Sequence, residues 1–127
     1  MFNCLIGIQS YGEYNLFTEN YIHDCNRFLS SPDCGLVGIM VETSNHEISY
    51  NRIINYTNSG GTYGVDGGAI EIDNGDFKKE NIDIHHNWSV GNEGFLDIIS
   101  WEDLSVITKN VRVAYSVSDD LQQFNFF

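Results

Sequence analysis

A strand pattern that recurs four times constrains this chain more than any other feature. Four segments alternate apolar and polar residues and then stop at a small polar residue; they are residues 15–20, 46–51, 82–87 and 111–116. The stop residues are Asn20, Asn51, Asn87 and Ser116, which are 31, 36 and 29 residues apart. A second apolar segment follows in each unit, at residues 38–42, 69–73, 95–99 and 123–126. Strands this short cannot bury a face alone, so the repeat predicts units that stack on one another.

Stacking in register predicts which residues form the core. Each strand would lie about 4.8 Å from its counterpart in the previous unit, so that inward positions form continuous apolar columns. The predicted columns are Phe17, Ile48, Ile84 and Val113; Ile39, Ile70, Leu96 and Phe124; and Val41, Ile72, Ile98 and Phe126. The stop asparagines suit tight turns, where each amide can bond to the backbone and stack on the next amide.

Composition agrees with strands and turns, and it excludes two classes of partner. The 127 residues include 14 isoleucines, 14 asparagines and 12 glycines but one proline, and no segment keeps a helical period of about 3.6 residues. The net charge of -12 argues against nucleic acid, whose phosphates need a basic surface. No apolar run approaches the roughly 18 residues of a membrane helix, so we expect no membrane partner. The length fits one domain, residues 1–127.

The repeat resembles the right-handed parallel β-helix, the fold shared by pectate lyases, polygalacturonases and other carbohydrate-active proteins. The resemblance rests on residues 20–24, 48–53, 68–72 and 82–87. It implies an all-β, right-handed solenoid of about four coils, with a polysaccharide as partner and a secreted or cell-surface location. Members of the family usually have more coils and a capping helix, so we interpret residues 1–127 as a fragment without end caps. Residues 1–8 show no signal-peptide pattern.

Acidic residues gather on two adjacent outward columns of the predicted solenoid. Met40, Glu71, Asp97 and Asn125 share one column, and Glu42, Asp73 and Ile99 share the next. Like charges this close raise one another's pKa unless a cation or a base intervenes. Paired carboxylates can hydrolyse a glycosidic bond, one as acid and the other as base or nucleophile. We therefore expect Glu71 and Asp97, or Glu42 and Asp73, to be the catalytic residues of a glycoside hydrolase.

Two alternatives remain open for the same carboxylates. In a calcium-dependent polysaccharide lyase they would hold Ca²⁺, the one cofactor that the sequence suggests. That reaction also needs a basic residue, and none falls on the acidic columns, so the base would lie outside this fragment. Arg112 aligns instead with Asp83 and Glu47 as a charge ladder. In a non-catalytic surface or adhesin-like solenoid, the acids would simply be solvated.

Aromatic residues could supply platforms for sugar rings. Tyr63, in the glycine-rich segment 57–68, and Trp101, just after the third outward strand, are the expected binding residues, whereas Trp88 is expected to pack in the core or at a turn. His85 and His86 are neighbours on a strand and should face opposite sides, which makes them a poor metal pair. No metal-binding residues are predicted.

The cysteines leave the redox compartment open. Cys4, Cys25 and Cys34 have no metal-like spacing. Cys25 and Cys34 could close a small loop as a disulfide in an oxidising compartment, and buried thiols are the alternative.

Overall fold

The computed structural model describes residues 3–27, 35–58, 67–73, 78–99 and 108–126, and the regular elements in these ranges are β-strands. The strands are β1 (Ile6–Ser10), β2 (Leu16–Thr18), β3 (Tyr21–Arg27), β4 (Leu36–Val41), β5 (His46–Ser49), β6 (Arg52–Asn58), β7 (Gly67–Ile72), β8 (Lys79–His85), β9 (Trp88–Val90), β10 (Gly94–Ile98), β11 (Thr108–Ala114), β12 (Val117–Asp119) and β13 (Gln122–Phe126). Within these ranges no helix is long and apolar enough to cross a membrane.

The strands form three parallel sheets in which every third strand is a neighbour. One sheet has five strands in the order β1-β4-β7-β10-β13, and two have four strands, β2-β5-β8-β11 and β3-β6-β9-β12. The chain therefore visits each sheet once per coil and advances by one strand each time. This is a parallel β-helix-like solenoid of about four coils, as the repeat predicts.

The register of the sheets confirms the predicted columns. Phe17 aligns with Ile48, Ile48 with Ile84, and Ile84 with Val113. In the five-stranded sheet the columns of Ile39 and Val41 continue through β7, β10 and β13 as expected. Apart from the half-buried Ile54, the isoleucines of β4 to β8 are completely or almost completely buried and belong to one core cluster. Apolar side chains from the three sheets thus fill the interior of the solenoid.

Residues in the left-handed backbone region form columns at the corners between sheets. Their φ angles lie between 53° and 68°, and the columns are Tyr14, Asn45, Asn81 and Asn110; Glu19, Tyr50, His86 and Tyr115; and Asn3, Asp24, Asn55 and Gly91. A short polar side chain tolerates this region because it can bond locally, which explains the frequent asparagine. One left-handed residue at each corner turns the strand direction without a long loop.

The stop asparagines build a buried ladder along the solenoid axis. Asn51 is 1% exposed, and its Nδ2 donates to the Phe17 carbonyl at 2.8 Å and to Asn87 Oδ1 at 3.0 Å. Its Oδ1 accepts the backbone N–H and the Nδ2 of Asn20, at 3.1 and 2.9 Å. Ser116 ends the ladder by accepting the Asn87 N–H. The predicted amide stacking is confirmed.

Candidate functional site

The first acidic column exists in the structure with the predicted register. Glu71 on β7 aligns with Asp97 on β10 and with Met40 on β4. Gln9 extends the column on β1, and the backbone of Asn125 extends it on β13. Successive residues on a strand point to opposite faces, so Glu71, between Ile70 and Ile72 of the core, lies on the side of the sheet away from the core. The five-stranded sheet therefore places two carboxylates on neighbouring coils.

The second acidic column follows directly after the strands end. The Asp73 N–H donates to the Val41 carbonyl at 3.1 Å, and the Ile99 N–H donates to the Ile72 carbonyl at 3.0 Å. These bonds extend the parallel pairing by one residue, so that Glu42, Asp73 and Ile99 follow one another as predicted. Glu42 and Asp73 lie at the corner between the five-stranded sheet and the sheet of β5 and β8.

The carboxylates are buried, which the sequence did not predict. Glu71 is 4% exposed, Asp97 is 3% exposed and Glu42 is 9% exposed. The expectation of an open, solvated face is wrong for these three residues. Two buried carboxylates on adjacent strands cannot both hold their charge without a basic neighbour, a cation or a shared proton. Glu71 and Asp97 are therefore two carboxyl groups that lie side by side and almost completely buried.

A buried lysine lies beside the second acidic column. Lys79, the first residue of β8, is 1% exposed. Burial lowers the pKa of Lys79, and the nearby charges of Asp73 and Glu42 oppose that change. The sequence pattern places no basic residue on the acidic columns, because Lys79 belongs to a different sheet and approaches these columns only where the chain turns a corner. Glu42 and Asp73 thus have a cationic neighbour within the described residues.

A glutamine and a tyrosine complete the outer side of this cluster. Gln9 Nε2 donates to Glu42 Oε1 and to the Tyr11 hydroxyl oxygen, each at 2.7 Å. Tyr11 is mostly exposed, and partial desolvation together with the charge and hydrogen bond of Glu42 raises its pKa. The Tyr11 phenol therefore remains protonated at neutral pH and forms the solvent-facing rim of the Glu42 cluster.

The two predicted sugar platforms, Tyr63 and Trp101, lie outside the described residues. Trp88, predicted to pack in the core or at a turn, is instead 52% exposed. The Arg52 guanidinium lies between the Trp88 and Tyr21 rings, 5.0 and 5.3 Å from their centroids. This cation–π sandwich occupies one face of each exposed ring.

A second aromatic stack runs along the neighbouring corner. The His86 ring stacks on Tyr50, with centroids 4.9 Å apart, and contacts Tyr115 at 5.2 Å. His86 thus has a ring on each side, and Tyr50 and Tyr115 each present one face to it. One face of each tyrosine ring at this corner is therefore already occupied by His86.

The prediction that His85 and His86 face opposite sides is wrong. β8 ends at His85, and His86 has a left-handed φ of 54°, so strand alternation no longer applies. The two Nδ1 atoms are 2.8 Å apart, and His85 Nε2 is 3.3 Å from a Glu47 carboxylate oxygen. The predicted charge ladder is confirmed nearby, where Arg112 Nη1 donates to Asp83 at 2.7 Å.

Comparisons with known proteins give no assignment. The chain matches no protein-family model, no curated protein and no solved structure. Among the described residues, no group of three or more histidine, cysteine or acidic side chains has a metal-binding arrangement. The functional argument therefore rests on the geometry of the buried carboxylates.

Proposed function

We propose that this chain is part of a right-handed, pectate-lyase-like parallel β-helix protein that binds and cleaves a polysaccharide along its five-stranded sheet. The reaction that we propose is glycoside hydrolysis by Glu71 and Asp97. The observation that carries the proposal is the register of these two buried carboxylates on the neighbouring strands β7 and β10. The acidic surface, with its net charge of -12, suits a neutral glycan better than an anionic one.

We propose the retaining class of hydrolysis, which the strand spacing allows. Adjacent strands lie about 4.8 Å apart, and retaining glycosidases hold their two carboxyl groups about 5–5.5 Å apart. In that mechanism one carboxyl protonates the leaving oxygen while the other attacks the anomeric carbon and forms a covalent glycosyl-enzyme intermediate. Water then attacks the same carbon, its proton passes to the first carboxylate, and the nucleophile leaves.

The column of Glu42 and Asp73 is the weaker candidate for catalysis. Lys79 lies beside both carboxylates and offsets their charge, and Gln9 already bonds to Glu42. We assign this cluster a structural role at the corner of the solenoid, where it takes the place of apolar packing between two sheets. A second candidate function is a non-catalytic surface solenoid. It is favoured by the corner of β5, β6, β8 and β9, where the aromatic rings already stack on other side chains of the protein.

The test is a screen of neutral and acidic polysaccharides for new reducing ends, with and without a calcium chelator. We expect cleavage by the wild-type chain, loss of at least 100-fold activity in Glu71→Gln and Asp97→Asn, and no effect of the chelator. Asp119→Asn, the same charge change at an exposed position of β12, is the matched control and should retain activity. Products with an unsaturated sugar and a need for calcium would replace the hydrolase by a lyase. Binding without cleavage would leave the non-catalytic solenoid.

A further inference from the structure

The residues just before β1 lie beside β3, in the position of a further strand of its sheet. The Asn3 N–H donates to the His23 carbonyl at 3.4 Å. In the same sheet the Arg52 N–H donates to the Asn20 carbonyl, and Arg52 aligns with Tyr21, the residue after the acceptor. The same rule aligns Asn3 with the residue after His23, which is Asp24. The next pair in this parallel register is Cys4 and Cys25.

Backbone angles support this alignment independently. Asn3, Asp24 and Asn55 have φ angles of 53°, 55° and 58°, so each is the left-handed corner residue of its coil. The same three residues also line one surface groove. The residues that follow them, Cys4, Cys25 and Tyr56, belong to one inward column. Within this column Cys25 pairs with Tyr56 on β6. Cys4, Cys25 and Tyr56 therefore stand on three successive coils.

Both cysteines lie in the same column as Tyr56. Tyr56 and Cys25 are completely buried, whereas Cys4 is partly exposed. Burial first, and then Cys25 and Cys4, raise the pKa of Tyr56. Among the described residues the Tyr56 hydroxyl has no hydrogen-bond partner. The two cysteines are thiols in this structure, one reachable from solvent and the other beneath it.

We propose that Cys4 and Cys25 form a redox-active thiol pair that closes to a disulfide under oxidising conditions. Aligned residues on neighbouring parallel strands lie about 4.8 Å apart, within the range of about 4.4–6.8 Å between the Cα atoms of a disulfide. This pairing differs from the Cys25–Cys34 disulfide that the sequence alone allows; Cys34 lies outside the described residues. The disulfide would tie the start of the chain to β3 and fix the first coil.

The exchange needs a disulfide oxidant, for which we name oxidised glutathione. The Cys4 thiolate, being the accessible one, attacks one glutathione sulfur and releases the first glutathione as a thiolate. The Cys25 thiol then loses its proton and attacks the Cys4 sulfur, which releases the second glutathione. Two cysteine thiols have then been oxidised, one glutathione disulfide has been reduced to two thiols, and two protons have been transferred.

The test treats the full chain with oxidised glutathione, alkylates the remaining thiols, and identifies linked peptides by mass spectrometry without reduction. We expect a peptide linked through Cys4 and Cys25 in the wild type and in Cys34→Ser. Cys4→Ser, at the partly exposed position, should fold normally and should lack this disulfide. A wild type linked through Cys25 and Cys34, or a Cys34→Ser chain that keeps two alkylated cysteines after oxidation, would overturn the proposal.

A thermal melt of the same samples provides a second measurement. The disulfide closes a loop of about 20 residues, so the oxidised Cys34→Ser chain should melt about 10 °C above its reduced form. Oxidant should leave the melting temperature of the Cys4→Ser, Cys34→Ser double variant unchanged. An equal shift in both chains would mean that the oxidant acts elsewhere, and it would contradict the proposed pair.

Discussion

Replacing Asn51 by alanine should remove a large part of the stability of the solenoid. The Asn51 side-chain amide makes four hydrogen bonds, which join its coil to Asn20 and Phe17 on the previous coil and to Asn87 on the next. A net contribution of about 1 kcal/mol for each hydrogen bond gives a loss of about 4 kcal/mol. Domains of this size are stable by roughly 5–15 kcal/mol, so the variant would be close to unfolding.

The matched comparison is a second, exposed asparagine ladder. Asn81 Nδ2 donates to Asn45 Oδ1 at 3.0 Å, and Asn81 Oδ1 accepts from Asn110 Nδ2 at 2.6 Å. Glycine keeps the left-handed backbone of position 81, so Asn81→Gly removes the amide without adding strain. Because water replaces the exposed bonds, we expect a loss of less than about 1 kcal/mol.

Urea unfolding of Asn51→Ala and Asn81→Gly, followed by far-ultraviolet circular dichroism, measures the free energy of unfolding of each variant. Asn51→Ser should lose about 2 kcal/mol, because Ser116 at the equivalent position still accepts one backbone N–H. This variant keeps the comparison usable if Asn51→Ala does not fold. Equal losses, within about 0.5 kcal/mol, for Asn51→Ser and Asn81→Gly would refute the view that the buried ladder is a main source of stability.

Three further predictions concern buried or stacked groups. Burial, opposed by Glu13, lowers the pKa of His46. The folded chain therefore binds this proton less readily than the unfolded chain, and stability should fall as pH drops below about 6.5; in urea titrations His46→Gln should flatten this dependence. Tyr56→Phe should raise the unfolding free energy under reducing conditions by about 1 kcal/mol, because it removes a buried hydroxyl without a partner among the described residues; a loss above about 1 kcal/mol would show that the hydroxyl is bonded. Arg52→Ala should lower the melting temperature by several degrees, because two exposed cation–π contacts contribute about 1 kcal/mol together, whereas Arg52→Lys should retain part of this effect.

The sequence predicts the columns of the fold well because their cause is local and repeated. Strand alternation fixes which of Ile70, Glu71 and Ile72 point inward, and the repeat fixes which residue on the next coil lies beside each. The register of Glu71 with Asp97 follows from these two facts alone, without any knowledge of the loops.

Burial and cross-sheet contacts could not be predicted in the same way. The alternation pattern makes Glu71 an outward residue but contains no information on whether that side of the sheet is covered. Lys79 reaches Glu42 and Asp73 because the chain turns a corner, and its sequence neighbours do not reveal that approach. The sequence pattern does not predict the positions of His86 and Trp88, because the left-handed residue at the corner interrupts strand alternation.

Nuclear Overhauser measurements on the isotope-labelled full chain test the central claim most directly. That claim is that successive coils stack in parallel and bring Glu71 beside Asp97. We predict backbone contacts between Glu71 and Asp97, and between Glu71 and Met40, in the pattern of parallel strands. Contacts in an antiparallel pattern, or a partner for Asp97 other than Glu71 and Asn125, would contradict both the fold and the proposed catalytic pair.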